Sequence, residues 1–475
     1  TSAQDKTVIR AWTGSSSPGE NEFKEAQIAA FEEANPDIDV ELLIAPDYGT
    51  QLQTAFASGD YPELFTVGQF DFPTLGWSRT PKQIEGVRCF AGAEQFDEFL
   101  ASTRILVCLL PLTSDHAAAA AAVRDGFLAM HNADRNPDKP QVSVVDTGAD
   151  PAQAVTAWQQ AVAGGTQLVV GPLGLEAADQ VAKKTSLEVP TLLLSHTSEE
   201  INTSQRAVFQ FGLPPEQEAT QAAERAWLIG YRQAAVLIPE SAWGKRMHAA
   251  FTSTWQRLGG LVVSDQKYLP DQAEYADPVK RLLNVAQSEA RREQLEATLK
   301  IKLKHETRAR EDIDFLFLAA DTKHARLIKP QLSYHRASRL PVYATSHLFT
   351  GRGDAGLDAD LDGIQFGDMP WMLVGDGRVA ELRKQIQGNW TYAHSPLDRL
   401  YALGIDAYAL LPHLNRLTSD STARLSGMTS GLSVGRGGRL HRQLLWAQFK
   451  KGVPVLIDSS FRHKGLFEID AGPGG

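Results

Sequence analysis

Residues 102–127 read STRILVCLLPLTSDHAAAAAAVRDGF. The run ILVCLLPL (105–112) is almost continuously apolar. A strand with that texture is covered on both faces, as in a parallel sheet sandwiched between helices. Thr113 and Ser114 supply a polar turn, and the alanine-rich segment after them has helical character. A strand, a short turn and a helix in that order is half of a βαβ unit, so this stretch sets the fold class as α/β.

The same alternation continues downstream to about residue 415. Helices are expected over 116–132, 151–163, 175–185, 215–229, 243–258, 322–335, 378–388 and 396–416, with a long polar helix over 276–305. Strands are expected at 141–148, 166–173, 190–195, 233–239, 260–269, 312–320, 340–346 and 362–371. The segment 432–457 reads as antiparallel, with RGGR as a hairpin turn, and the AGPGG tail reads as loose. Roughly ten strands exceed one comfortable sheet, which predicts two α/β lobes with a cleft between them. Upstream, strands at 8–12, 38–46 and 62–68 alternate with helices at 20–36 and 48–59. That is a partial βαβαβ lobe. Residues 70–104 change texture, with a WSR turn, a short strand at VRCF and a small amphipathic helix over 93–104.

Composition narrows the function. The chain has 475 residues, enough for two to four domains, and carries a net charge of −10. That balance argues against nucleic acid as a partner, since such a partner selects a basic face. The two cysteines, Cys89 and Cys108, make neither a disulfide framework nor a zinc site. No apolar run reaches the ~18 residues of a transmembrane span. TSAQDKTVIRAW at the start lacks a basic region followed by an apolar one, so no signal peptide and no lipidated cysteine are expected in this chain.

Candidate ligand-binding residues stand where predicted strands give way to helices: Thr113, Ser114, Gly171, Ser195 and Thr197. Backbone amides and hydroxyls at such loops can bind a small polar ligand, and the plainer account is turn chemistry and helix capping. Asp358, Asp360, Asp362 and Gly363 match the first half of a calcium loop, but position 12 is Met369, so an acidic turn is the better account. WSRT (77–80) could hold a 2′-phosphate only with an upstream glycine loop, and none precedes it. Ser195–His196 lacks a nucleophile elbow. The charge-rich run 289–312 reads as a solvated helix of a length that suits a partner surface. The sequons at Asn202 and Asn389, and RGD at 352–354, carry no weight by themselves. No catalytic residue, metal site or cofactor is expected.

Three resemblances cover different parts of the chain. VIRAWTGSSSPGENEFKEAQIAAFEEANPDIDVELL and ASGDYPELFTVG, within residues 1–72, resemble the start of a sugar ABC-transporter solute-binding protein. The resemblance implies that Trp12, Thr13 and Gly14 face a sugar cleft. GWSRTPKQIEGVRCFAG and EQFDEFLASTRILVCLLPLT, within 75–114, resemble a glyoxylate/hydroxypyruvate reductase of the D-2-hydroxyacid dehydrogenase family, reduced to an inactive NADP-enzyme fragment. Residues 105–458 resemble the LppC/LpoA family, outer-membrane lipoproteins that activate a bifunctional penicillin-binding protein. That resemblance is carried by AAAVRDGFLA, VVGPL, LIPESAWGKRM, KRLLNVAQSEARREQLE, DIDFLFLAADTKHARLIKPQL, LPVYATSH, DLDGIQFGDMPW and GRLHRQLLWAQF.

The third resemblance implies a two-lobed domain of the type I periplasmic-binding-protein kind. It also implies a periplasmic, non-enzymatic regulator of peptidoglycan synthesis that docks on a peptidoglycan synthase. The alternative is an extracytoplasmic solute-binding protein taking a sugar or other small ligand in the interlobe cleft. The expected division is 1–74, 75–104, 105–458 and a tail at 459–475, as a composite chain with seams near 72–76 and 105–116.

Overall fold

The computed structural model describes residues 7–14, 28, 29, 32, 38–45 and 64–65, then 105–457 apart from 186, 188, 202–207, 273, 303–308, 376, 388–389, 392–394 and 396, and finally 467 and 469–470. The chain divides into two compact units, Thr1–Cys89 and Phe90–Gly475.

In the first unit, β1 (Thr7–Gly14), β2 (Ile38–Ala45) and β3 (Leu64–Phe65) form a parallel sheet in the order β2-β1-β3. The three strands fall within or across the stretches expected as strands, 8–12, 38–46 and 62–68. Trp12 stands between Leu43 of β2 and Phe65 of β3 in the register. The helix expected at 48–59 and all features expected at 70–104 lie outside the described residues.

The described part of the second unit begins with β4 (Ile105–Leu110), the strand quoted above. It lies inside a five-stranded parallel sheet of order β5-β4-β6-β7-β8, whose other members are β5 (Gln141–Asp146), β6 (Leu168–Leu173), β7 (Thr191–Leu194) and β8 (Val208–Gln210). The apolar run is explained by its neighbours on both sides. Leu106, Cys108 and Leu110 enter one core, while Val107 and Leu109 enter the core on the opposite face. Each buried side chain of this size stabilises the fold by about 1.5–3 kcal/mol relative to exposure. Helices α1 (Ala117–Ala133), α2 (Pro151–Ala163) and α3 (Leu175–Lys184) complete this lobe. The start of α2 was set locally, by Asp150 accepting a bond from the Ala152 amide and by Pro151 in the first turn. β8 has only three residues, too short for its pattern to stand out in the sequence.

The second lobe follows with α4 (Pro215–Ile229), β9 (Gln233–Pro239), α5 (Ala242–Arg257), β10 (Leu261–Tyr268), α6 (Ala276–Leu282) and α7 (Val285–Leu299). Then come β11 (Phe315–Leu318), α8 (Thr322–Tyr334), β12 (Val342–Ala344), β13 (Ile364–Asp368), α9 (Pro370–Leu373) and α10 (Gly377–Gln387). The chain continues through α11 (Asp398–Ala409), α12 (Leu414–Ser419), β14 (Arg424–Ser426), β15 (Gly431–Val434), β16 (Leu440–Gln443), β17 (Leu445–Lys450), β18 (Val453–Leu456) and β19 (Ile469–Asp470). The lobe-2 sheet has the order β10-β9-β11-β12-β13-β17-β18, parallel except for its last two strands. A small antiparallel sheet has the order β16-β15-β14-β19, with the RGGR turn between β15 and β16 as expected.

Two long helices read from the sequence are each broken. The polar helix expected over 276–305 is α6 plus α7, separated at Asn284, whose φ of 60° no α-helix continues. Leu282, Leu283 and Val285 turn into the core there, so burial redirected the chain. The helix expected over 396–416 becomes α11 and α12 with a single 3₁₀ turn, Leu411–His413, between them. Pro412 in that turn has no N–H for an α-helical bond.

α11 joins the lobes. Every residue from Tyr401 to Ala409 is buried. Leu403 and Ala407 pack in the lobe-1 core, while Ala402 and Ile405 pack in the lobe-2 core. α11 crosses α1 so closely that a Cβ at Gly404 would stand 2.1 Å from the Val123 carbonyl oxygen, and one at Gly126 would stand 2.2 Å from that of Tyr401.

Candidate functional site

The five candidate residues all fall on lobe 1, on or just after β4, β6 and β7. This is the edge where ligands sit in open α/β sheets. Their hydrogen bonds are largely local. Thr113 Oγ1 donates to Asp146 Oδ2 at 2.7 Å, and the amides of Leu112 and Gly148 donate to Asp146 Oδ1 at 2.8 and 2.9 Å. The Thr113 hydroxyl and the Gly148 amide hold this carboxyl below its usual range. Ser114 Oγ donates to the Pro111 carbonyl at 2.9 Å and accepts from the His116 amide at 3.0 Å. Gly171 has φ +102°, and a Cβ there would stand 2.2 Å from the Leu109 carbonyl oxygen. Its glycine is therefore a backbone requirement.

Thr197 is buried. Its amide donates to Gln210 Oε1 at 2.8 Å, and its hydroxyl donates to the Glu199 carbonyl at 2.6 Å. Ser195 is the least committed of the five, with one long bond of 3.4 Å to the carbonyl of His196. The His196 ring gains nothing from Ser195. Its Nε2 is buried without a partner, and its pKa is pushed down to about 4 by burial and by Arg439, His441 and Arg442.

Two aspartates of the acidic turn are engaged within the fold. Asp358 is buried, pairs with Arg326 at 2.6 Å and accepts from the Asp354 amide. Asp362 accepts from the amides of Lys451 and Gly452. Among the described residues, no group of His, Cys, Asp and Glu is placed to hold a metal ion.

The ionic set along the seam between the lobes is absent from the sequence reading. Glu218, Asp368, Asp406 and Arg442 are 7%, 1%, 0% and 4% exposed. Glu218, in the first turn of α4, accepts from the Ser346 amide at 2.8 Å and from its hydroxyl at 3.0 Å. Arg399 Nε donates to Asp368 Oδ1 at 3.0 Å, and an Arg399 NH2 donates to the Phe349 carbonyl at 2.8 Å. Asp406 accepts from the amides of Met428 and Thr429, both at 2.7 Å. Burial pushes its pKa up to about 6, against the opposing effect of the Thr429 hydroxyl and these amides. One signal was available: Asp406 interrupts the apolar run LYALGIDAYALL, where an exposed acid would be out of place. The partners in these bonds, 22 to 128 residues apart in sequence, had no such signal.

A polar groove of about 510 Å³ lies elsewhere, at the outer edge of β10. Ser264, Gln266, Arg281, Asn284 and Gln287 contribute to its walls. Three of its charged side chains are already engaged, Arg310 and Asp312 with each other and Asp265 with His248.

Comparison with known proteins follows this geometry. The family model described as "LppC putative lipoprotein" matches residues 80–452. The penicillin-binding protein activator LpoA of Photobacterium profundum is 31% identical over 346 residues, which is 72% of this chain and 55% of that relative. The chain thus spans about half the length of the curated relatives it matches. The solved LpoA (YraM) C-domain from Haemophilus influenzae, described as a regulator of PBP1A, superposes with a TM-score of 0.56 at 23% identity, over 74% of this chain and 99% of that one. A putative branched-chain amino acid ABC transporter protein from Chromobacterium violaceum gives a TM-score of 0.53 at 26% identity, over 73% of this chain and all of that one. These likenesses agree with the two-lobed type I periplasmic-binding-protein fold. The family match begins at residue 80, ahead of the seam expected at 105–116. Most of the stretch read as a dehydrogenase fragment lies inside it, and the composite reading gains no support from these relatives.

Proposed function

Because this chain belongs to the LppC family of putative lipoproteins, we propose that it is a regulator of peptidoglycan synthesis that docks on a bifunctional penicillin-binding protein and activates it. The observation that carries this reading is the family match over 80–452, with relatives named as activators of a penicillin-binding protein. The mode of action is allosteric and non-enzymatic: contacts that favour the active synthase raise its activity. Most polar side chains at the lobe-1 strand ends and along the seam have partners within the fold, in keeping with a docking module. The working module is residues 105–458, and its setting is the periplasm, at the outer membrane. Among the described residues no helix is long and apolar enough to cross a membrane. The test is a reconstituted assay with a purified bifunctional penicillin-binding protein. Adding this chain raises glycan polymerisation or crosslinking; unchanged rates across a full titration sink the proposal.

A second reading is a solute-binding module, supported by the likeness to the Chromobacterium violaceum protein over its whole length. Thr113, Ser114, Gly171, Ser195 and Thr197 then line the ligand site, with Ser195 the freest donor. It predicts thermal stabilisation by sugars or amino acids, of about 2.7 kcal/mol at a hundredfold excess over Kd. The composite origin of residues 1–104 rests on sequence resemblance, and peptides spanning 68–80 and 100–120 in one intact polypeptide test it.

A further inference from the structure

The small antiparallel sheet is bonded to both lobes. On the lobe-1 side, Gln210 Nε2 at the end of β8 donates to the Gly437 carbonyl at 2.8 Å. Arg439 donates to the Thr197 carbonyl at 2.8 Å. The turn lies so close to β8 that a Cβ at Gly438 would stand 2.1 Å from the Val208 carbonyl oxygen.

On the lobe-2 side, β16 is the outermost strand of the small sheet, and two glutamines of α4 take the place of a neighbouring strand. Gln217 Nε2 donates to the Leu440 carbonyl at 3.3 Å and Gln221 Nε2 to that of Arg442 at 2.8 Å. Gln221 Oε1 accepts from the Leu444 amide at 3.0 Å, so one side chain reads both a carbonyl and an amide. The loop between β14 and β15 is held on both sides too. Its Met428 and Thr429 amides bond to Asp406 of α11, and the Met428 carbonyl accepts from the Trp371 amide of α9 at 3.0 Å.

Lobes that close on a ligand rotate about a few chain segments that bend. Here rotation meets two obstacles. It separates bonds between β16 and α4 that are partly shielded from water. It also pulls α11 out of one of the two cores that share its faces. Each buried donor or acceptor left without a partner is costly. We infer that α11 and the β14–β16 sheet form a clamp that fixes the angle between the two lobes, so that this unit presents one interlobe geometry with or without a small ligand. This does not depend on which partner the protein activates.

The test places spin labels on the full chain with Cys89→Ser, at Ser143→Cys on β5 and Ser253→Cys on α5, both exposed. Cys108 is buried and stays unlabelled. Pulsed dipolar spectroscopy then reads the interlobe distance. The expected result is one narrow distribution whose mean moves by less than about 2 Å in saturating leucine or maltose. Gln217→Ala, Gln221→Ala and Arg439→Ala together broaden it. Two populations in the parent, or a larger ligand-induced shift, overturn the clamp. A folded triple variant with an unchanged distribution does the same. Should the triple variant fail to fold, the parent's own distribution with and without the two probes decides.

Discussion

At the carboxyl ends of β4, β6 and β7, part of the polar bonding is local, although Thr113 also reaches Asp146 and Thr197 reaches Gln210. Ser114 reaches Pro111 and His116, and Thr197 reaches Glu199. Along the seam the distances in sequence are long. Glu218 bonds to Ser346, Arg399 to Asp368, and Asp406 to Met428 and Thr429. Thr113, Ser114 and Ser195 keep access to water, whereas Thr197 and the seam groups Glu218, Asp368, Asp406 and Arg442 are buried. The lesson is energetic. A hydroxyl at a loop can be deleted at little cost, because water replaces its partner. An ion in the seam has only its protein partner, and its removal strands a charge in a medium that cannot solvate it.

The strongest way to break this contrast is Arg399→Met. It leaves Asp368, 1% exposed, without its counter-charge. A loss of about 3–5 kcal/mol is expected in chemical denaturation. A loss below ~1 kcal/mol would mean that the seam tolerates polar loss as the strand ends do.

Next is the pH dependence of Asp406 and His196, which have opposite signs. Asp406 has a pKa of about 6 in the fold against an ordinary 3.8. Between those values the folded protein keeps a proton that the unfolded chain releases, so stability falls as pH rises from about 4 to about 6 and is level above. His196 has a pKa of about 4 against an ordinary 6.5. In that window the unfolded chain takes up a proton that the fold refuses, so its contribution rises with pH. Asp406→Asn removes the first effect. Measured against the parent, its stability climbs by about 2 kcal/mol between pH 4 and 6. His196→Gln bends the difference the other way. Parallel curves for parent and variants would show that neither group titrates in this range.

Gly404→Ala sharpens the packing side of the comparison. A methyl group 2.1 Å from the Val123 carbonyl forces α1 and α11 apart. Overpacking of about 3 kcal/mol, less about 1 kcal/mol of better helix propensity, leaves a net loss of about 2 kcal/mol. A stabilised variant would mean that the two helices can separate freely. The smallest effect belongs to Ser195→Ala at the strand ends, within about 0.5 kcal/mol in thermal denaturation. A larger loss would show that this hydroxyl holds structure. Loss of ligand-dependent stabilisation in the same variant would favour the solute-binding reading.

Much of the fold was legible because its signals are local. α2 was expected over 151–163 and β9 over 233–239, and both occur with those limits. Asp150, Pro151 and the turn residues around them act within a few positions. The candidate residues were legible as to place, since the carboxyl ends of strands follow from the alternation itself. Their bonding was not, because a hydroxyl at a loop reads the same whether it faces a ligand or its own backbone. The break at Asn284 was hidden for another reason. The run 276–305 has helical composition throughout, and only the core beneath Leu282, Leu283 and Val285 bends the chain there.

The sequence by itself determined the α/β class, most of the element order after residue 105 and the need for two lobes, because periodicity and turn chemistry act over spans of a few residues. Tertiary structure alone decided that Asp406 meets Met428 and Thr429, that Gln217 and Gln221 stand in for a strand beside β16, and that Gly404 lies against the Val123 carbonyl and Gly126 against that of Tyr401. Each of those contacts joins segments far apart in the chain, and each exists because a buried polar group or a close backbone approach must be matched by whatever the fold brings to it.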